Sequence, residues 1–128
     1  MKKTFTPVAR LGTFRTLLTI AINDHWLVYK MDEKSKFLNG ILKEELYLNQ
    51  SPWYEIKGQK TKVYNLKKTM YGLKQAPRAW YKIIDSYLLN KGFKHNINEP
   101  TFYVKTYLQG NILIVCIYVD DMIYMGNL

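Results

Sequence analysis

Residues 112–125 read ILIVCIYVDDMIYM, from Ile112 to Met125. Eight consecutive apolar residues, Ile112 to Val119, run into the acidic pair Asp120-Asp121, and Met122 to Met125 is apolar again. Such a pattern describes two buried strands with two adjacent carboxylates held where they meet. Like charges that close raise one another's pKa unless a cation neutralises them. The plainer reading stays open beside it: Asp is a good turn residue, and an exposed Asp-Asp turn needs no metal.

Working outward, Thr101–Tyr107 and Asn111–Tyr118 form a predicted hairpin around Gln109-Gly110-Asn111. A helix is expected from Ala76 or Pro77 to Asn90, burying Trp80, Ile83, Ile84, Tyr87 and Leu88, with Gly92 as its stop. Glu45–Gln50 and Lys62–Leu66 read as an irregular hairpin around a polar loop containing Pro52 and Gly58. Leu27–Asp32 alternates like a strand, so Asp32 sits at a strand exit, and Glu33–Gly40 is a turn-like link. Thr6 and Pro7 suit the start of a first helix that ends near Asn23-Asp24. With no repeat or linker, one domain is the expectation: an α+β fold, an antiparallel sheet with both helices on one face. If the Asp32 strand lies beside the Asp120-Asp121 hairpin, three carboxylates converge. Oxygen ligands at that density suit Mg²⁺ or Mn²⁺.

The composition narrows the partner. The chain has 128 residues, 19 Lys plus Arg against 10 Asp plus Glu, and a formal charge of +9. Nucleic acid is the natural polyanion for such a surface, with bulk solubility as the bland alternative. Eleven tyrosines, several beside lysines as in Tyr29-Lys30 and Tyr81-Lys82, fit base stacking or ordinary strand faces. The longest apolar run is far short of the roughly 20 residues of a membrane span. No signal peptide is visible, so no membrane partner and an intracellular setting are expected. One cysteine, Cys116, and two histidines make neither a disulfide framework nor a zinc pattern.

A third constellation is Met70-Tyr71-Gly72-Leu73-Lys74-Gln75-Ala76-Pro77-Arg78-Ala79-Trp80. Gly72 permits close approach of a ligand to backbone, and Lys74 and Arg78 flank a helix start, an anion-friendly place. An ordinary charged loop and helix start would read the same way.

Taken in order, TPVARL, VYKMDEKSKFLNG, LYLNQSP, KVYNLKKTMYGLKQAPRAWY, YLLNKGF, EPTFYV and ILIVCIYVDDMIYMGN resemble copia-type retrotransposon reverse transcriptases, from about Phe5 to Leu128. The resemblance implies a palm core with part of the fingers over residues 1–128. It implies a basic fingers region before the chain, and a thumb, connection and ribonuclease H after it. Asp32 matches the first polymerase-motif aspartate, and Asp120 and Asp121 the YxDD pair: catalytic residues and ligands of two Mg²⁺ ions. The Glu33 carbonyl falls at a further metal contact. Phe37 matches the steric gate that selects deoxynucleotides, and Tyr71 and Gly72 line the nucleotide and template pocket. Lys74, Gln75 and Arg78 belong to the same substrate-binding motif, and Tyr118 and Val119 to the primer-terminus side.

The implied partners are an RNA or DNA template with its primer, deoxynucleoside triphosphates and the rest of a Pol polyprotein. Two positions depart from the pattern. Lys36 replaces a small residue and would crowd the sugar or swing toward the triphosphate; Glu33 replaces an apolar one. Three functions stay in play: a polymerase fragment weak or inactive alone, a non-catalytic nucleic-acid-binding remnant, and a decayed element. Poor solubility is expected too, because Met122, Ile123 and Met125 lie near the terminus with little to cover them.

Overall fold

The computed structural model describes residues 6–118 and 121–128. Its elements are α1 (Leu11–Asn23), β1 (Leu27–Met31), β2 (Ile41–Asn49), β3 (Val63–Lys68), α2 (Ala76–Asn90), β4 (Lys94–Asn96), β5 (Glu99–Thr106), β6 (Ile112–Tyr118) and β7 (Asp121–Gly126). Five strands form an antiparallel sheet in the order β1-β7-β6-β5-β4, and β2 and β3 form a separate ribbon. The fold is α+β, as the element order implies.

The register explains the core. Lys30 pairs with Ile123, Ile123 with Cys116, and Cys116 with Phe102. Residues directly opposed across strands share a face. Ile123, Cys116 and Phe102 pack with Leu17, Ala21 and Phe14 of α1. The next row, Tyr29, Tyr124, Val115 and Tyr103, points the other way. There Tyr124, Val115 and Tyr103 pack with Trp80, Ile84 and Leu88 of α2. The two helices therefore cover opposite faces, which corrects the expectation that both lie on one. The reason is in β6 itself: ILIVCIY is apolar at every position, and a strand apolar on both faces needs cover on both.

β7 is likewise corrected. It lies between β1 and β6, and Met122, Ile123 and Met125 are all buried, Met125 to 1% exposure. Pairing on both edges and helices on both faces supply the cover.

Boundaries move for local reasons. The first helix starts at Leu11 rather than Pro7: residues 7–10 are not helical, Arg10 is extended and lies 3.8 Å from the Glu99 carboxylate, and Ala9 is buried in the α1-side core. α2 begins at Ala76 as read, and after Asn90 the Gly92 and Phe93 amides bond back to Leu89 and Leu88, closing the helix. Ala76, Trp80 and Leu88 are its buried residues, whereas Ile83 and Tyr87 are exposed. β2 begins at Ile41, earlier than the sequence suggested, with a register shift before Leu46 that makes the ribbon irregular. No helix among the described residues is long and apolar enough to cross a membrane.

Candidate functional site

β1 and β7 run side by side, ending in the pair Met31 and Met122. Continuing that register by one residue sets Asp32 opposite Asp121. The side-by-side placement expected of the Asp32 strand and the strand after the Asp120-Asp121 pair is therefore present in the backbone pairing; Asp120 and Val119 lie outside the described residues. Two lysines bracket this acidic end from opposite sides of the sheet. Lys30, on the α1 face, places Nζ 3.1 Å from Asp121 Oδ1. Lys36, packed on the α2 side, places Nζ 3.8 Å from Asp32 Oδ1.

The link after β1 is shaped to deliver Lys36. Ser35 adopts a left-handed conformation (φ +60°), and a short helical turn, Lys36–Leu38, follows. Lys36 is buried, its ammonium 5.2 Å from the Phe37 ring centre and 5.6 Å from that of Trp80. The Trp80 indole N–H donates to the Glu33 carboxylate at 2.8 Å. Phe37 meets Tyr71 edge-on at 5.3 Å and Trp80 at 6.5 Å, so gate-like Phe37 and pocket-like Tyr71 come together. Tyr71 remains more than half exposed, and Gly72 beside it has φ +89°, a conformation that side chains disfavour.

Thr69, which the sequence reading passed over, latches this loop. Its hydroxyl donates to the Phe37 carbonyl and lies 3.2 Å from that of Gly40, while its amide donates to Gly40 at 2.7 Å. A side chain at Gly40 would meet Thr69 Oγ1 at 2.6 Å and the Ala79 Cβ at 2.8 Å, so this loop and α2 touch backbone to side chain. The available signal was position alone: Thr69 immediately precedes Met70-Tyr71-Gly72.

Other predicted residues lie apart. Gln75 and Arg78 line a cleft of about 430 Å³ between β2 and α2, together with Asn39, Lys43, Glu44 and Lys82, three basic side chains against one acidic. Lys74 is exposed and does not line it. Tyr118 stacks on Phe14 of α1 at 5.4 Å, so its ring is tied into the core.

Asp32 and Asp121 offer hard anionic oxygens at one sheet end, and the Asp32 side chain is 72% exposed. That donor chemistry fits Mg²⁺ or Mn²⁺. Among the described residues, however, no three acidic, histidine or cysteine side chains cluster as a complete ligand set.

Beneath the site, the Tyr103 hydroxyl donates to Asp85 at 2.8 Å and lies 3.2 Å from the Tyr81 hydroxyl, which donates to the Pro100 carbonyl. Burial, then these bonds, raise the Tyr103 pKa; burial also raises that of Tyr81.

A family model described as reverse transcriptase (RNA-dependent DNA polymerase) matches residues 1–127. The chain belongs to the reverse transcriptase family. It is 38% identical to the Retrovirus-related Pol polyprotein from transposon TNT 1-94 of Nicotiana tabacum over 96% of its own length and 9% of that protein's. With the Retrovirus-related Pol polyprotein from transposon RE2 of Arabidopsis thaliana it shares 38% identity over 98% of the chain and 8% of the relative. With the Transposon Ty1-NL2 Gag-Pol polyprotein of Saccharomyces cerevisiae it shares 32% over 88% of the chain and 6% of the relative. The chain thus spans less than a tenth of the length of these relatives. No solved structure matches it. The resemblance read from the motifs, a retrotransposon reverse transcriptase of copia type, holds over nearly the whole chain.

Proposed function

We propose that this chain is the palm core, with part of the fingers, of a retrotransposon RNA-directed DNA polymerase. It would add deoxynucleotides to a primer 3′-hydroxyl on an RNA or DNA template, weakly when alone. The observation that carries this reading is the β1/β7 pairing, which aligns the strand leading into Asp32 with the strand that opens at Asp121.

Asp32 and Asp121, with Asp120 of the same motif, would hold two Mg²⁺ ions. Bound there, the ions supply an acidified primer hydroxyl, in-line alignment on the α-phosphate and charge neutralisation at the departing pyrophosphate. The chain's own residues do the remaining work. Phe37, wedged edge-on against Tyr71 and Trp80, stands beneath the incoming sugar and rejects a 2′-hydroxyl by bulk. Tyr71 and Gly72 offer an exposed ring and an open backbone to the nucleotide. Lys74 contributes positive charge toward the triphosphate or template. Gln75 and Arg78, in the basic cleft with Lys43 and Lys82, would take template phosphates. Tyr118 and Val119 would border the primer terminus, Tyr118 through its backbone, since its ring is packed on Phe14.

The test is extension of a DNA primer on an RNA template by the full chain, with Mg²⁺ titrated. Slow, Mg²⁺-dependent addition of deoxynucleotides is expected, abolished by Asp32→Asn and by Asp120→Asn. Extension that survives either change would refute the catalytic role of that aspartate, and none at any Mg²⁺ concentration would refute catalysis by this chain. A second reading, nucleic-acid binding without catalysis, is favoured by the basic cleft. Binding that falls steeply with salt, yet ignores both Mg²⁺ and Asp32→Ala, would select it.

A further inference from the structure

The two positions that depart from the family pattern, Glu33 and Lys36, meet on one side chain, Trp80. The Glu33 carboxylate accepts the Trp80 indole N–H at 2.8 Å, and the face of that indole lies 5.6 Å from the Lys36 ammonium. Phe37 supplies a second ring at 5.2 Å. Among the described residues Lys36 is the one charged residue that is buried, at 4% exposure. A buried ammonium is costly unless charges and π-faces surround it. This one has both: two aromatic faces and the Asp32 carboxylate at 3.8 Å. Glu33, by holding the indole hydrogen, withdraws that proton's positive edge and fixes the ring as a seat for the cation.

We propose that Lys36 is a resident cation of the acidic centre: it neutralises Asp32 when no divalent ion is present, and it lowers the divalent affinity of the site. The metal half of this inference rests on the proposed reading of Asp32 as a metal ligand. The counter-ion half does not.

The geometry gives the mechanism. Asp32 is 72% exposed, so ions reach it from solvent, while the lysine beside it is packed in. A divalent cation arriving at Asp32 meets a positive charge whose stem is enclosed by protein and which cannot simply swing into water. Like charges a few ångströms apart in a poorly screened site oppose one another strongly. Lys30, the second lysine at this end, is 64% exposed and yields to water easily. The two lysines therefore differ in kind: one is a fixed charge, the other a screened one. Lys36 then neither crowds the sugar nor reaches for the triphosphate, the two roles its sequence position suggests; its place is beneath the aspartate.

The decisive measurement is Mn²⁺ affinity of the full chain, read from the paramagnetic resonance signal of free Mn²⁺. Lys36→Met should bind Mn²⁺ at least about tenfold more tightly than the unaltered chain, because it removes an enclosed like charge. Lys30→Met should differ from the unaltered chain by about twofold or less, because its charge is screened. Equal or weaker affinity in Lys36→Met overturns the inference. Mn²⁺ binding by both chains that persists in Asp32→Asn overturns the metal reading of Asp32 instead; no Mn²⁺ binding by either removes that reading and the affinity-lowering role together.

The counter-ion role is decided separately, by melting in chelator. Asp32→Asn should lower the melting temperature by about 3 °C or more, since it removes the Asp32 charge from beside a buried ammonium. A rise, as relief of repulsion among carboxylates alone would give, or no change, overturns that role. Asp32→Asn preserves the packing around Lys36, so this arm stands even if Lys36→Met fails to fold.

Discussion

β7 and β1 are neighbours in one sheet, Asp121 opening β7 and Asp32 following β1, yet they are built in opposite ways. β7 is enclosed: Met122, Ile123 and Met125 are buried, with strands on both edges and a helix on each face. β1 is exposed at every residue and, among the described residues, has a strand neighbour on one edge only. Asp121 thus opens a strand held rigid by packing, whereas Asp32 follows a strand held by backbone pairing and by what its neighbours grip. The contrast shows why the loop after β1 is so heavily tied. Thr69 holds Phe37 and Gly40, Trp80 holds Glu33, and Lys36 holds Asp32. A carboxylate on an exposed edge must be placed by its loop, because its strand has little packing with which to place it.

The sharpest way to break this contrast is to hollow both strands. Met125→Ala should cost about 2–5 kcal/mol, because it leaves a cavity in a closed core. Met31→Ala, at 46% exposure, should cost about 1 kcal/mol or less. Urea unfolding of the two variants checks this, and equal costs would dissolve the distinction.

Alkaline pH should weaken the enclosed side next. Burial, with a smaller push from Glu99, raises the Cys116 thiol from the usual 9.0 to about 11. Burial raises Tyr81 and Tyr103 as well, the hydrogen bonds to Tyr81 and Asp85 adding to the rise at Tyr103 while the bond from Tyr103 offsets part of it at Tyr81. Each group holds its proton more tightly folded than unfolded. Stability is therefore complete below pH 9.0 and falls as pH climbs through about 11, by an amount on the order of 2 kcal/mol for the thiol. Urea midpoints between pH 8 and 11, with Cys116→Ala, measure this; the variant should show a shallower decline, and an unchanged slope would remove the thiol from the account.

The smallest effect should come from the tie between the two strands. Lys30 and Asp121 are both partly exposed, so Lys30→Met should change stability by about 1 kcal/mol or less, and 0.5 M salt should erase the difference. A large, salt-resistant loss would mean that β1 is anchored through this pair after all.

Much of this was legible in the sequence because its cause is local. The β5–β6 hairpin, the start of α2 and its stop at Gly92 follow from alternation, helix-start chemistry and turn residues. The motifs themselves identify the family. The first helix was misplaced because Pro7 is a good helix starter, while the burial of Ala9 and the reach of Arg10 to Glu99 are tertiary facts. The two-sided cover was written in the unbroken run Ile112–Tyr118, whose lack of polar alternation excludes a wet face. Strand order was not readable: nothing in residues 121–126 says that β7 inserts between β1 and β6. The ring seat of Lys36 and the latch of Thr69 depend on residues far away in the chain, and single-position reading sees neither.

The central place of β7 also governs how the molecule comes together. Among the described residues β1 is the first strand in chain order, and its one sheet partner is β7, the last of them. During synthesis β1 waits without a ladder, its apolar edge open, until β7 has emerged. Such distant pairing makes for slow folding and a long interval of vulnerability to self-association. It also means that Asp32 and Asp121 are brought to the same end of the sheet only once β1 and β7 have paired. Until that pairing forms, the two carboxylates share no sheet end, so the site depends on this one long-range contact.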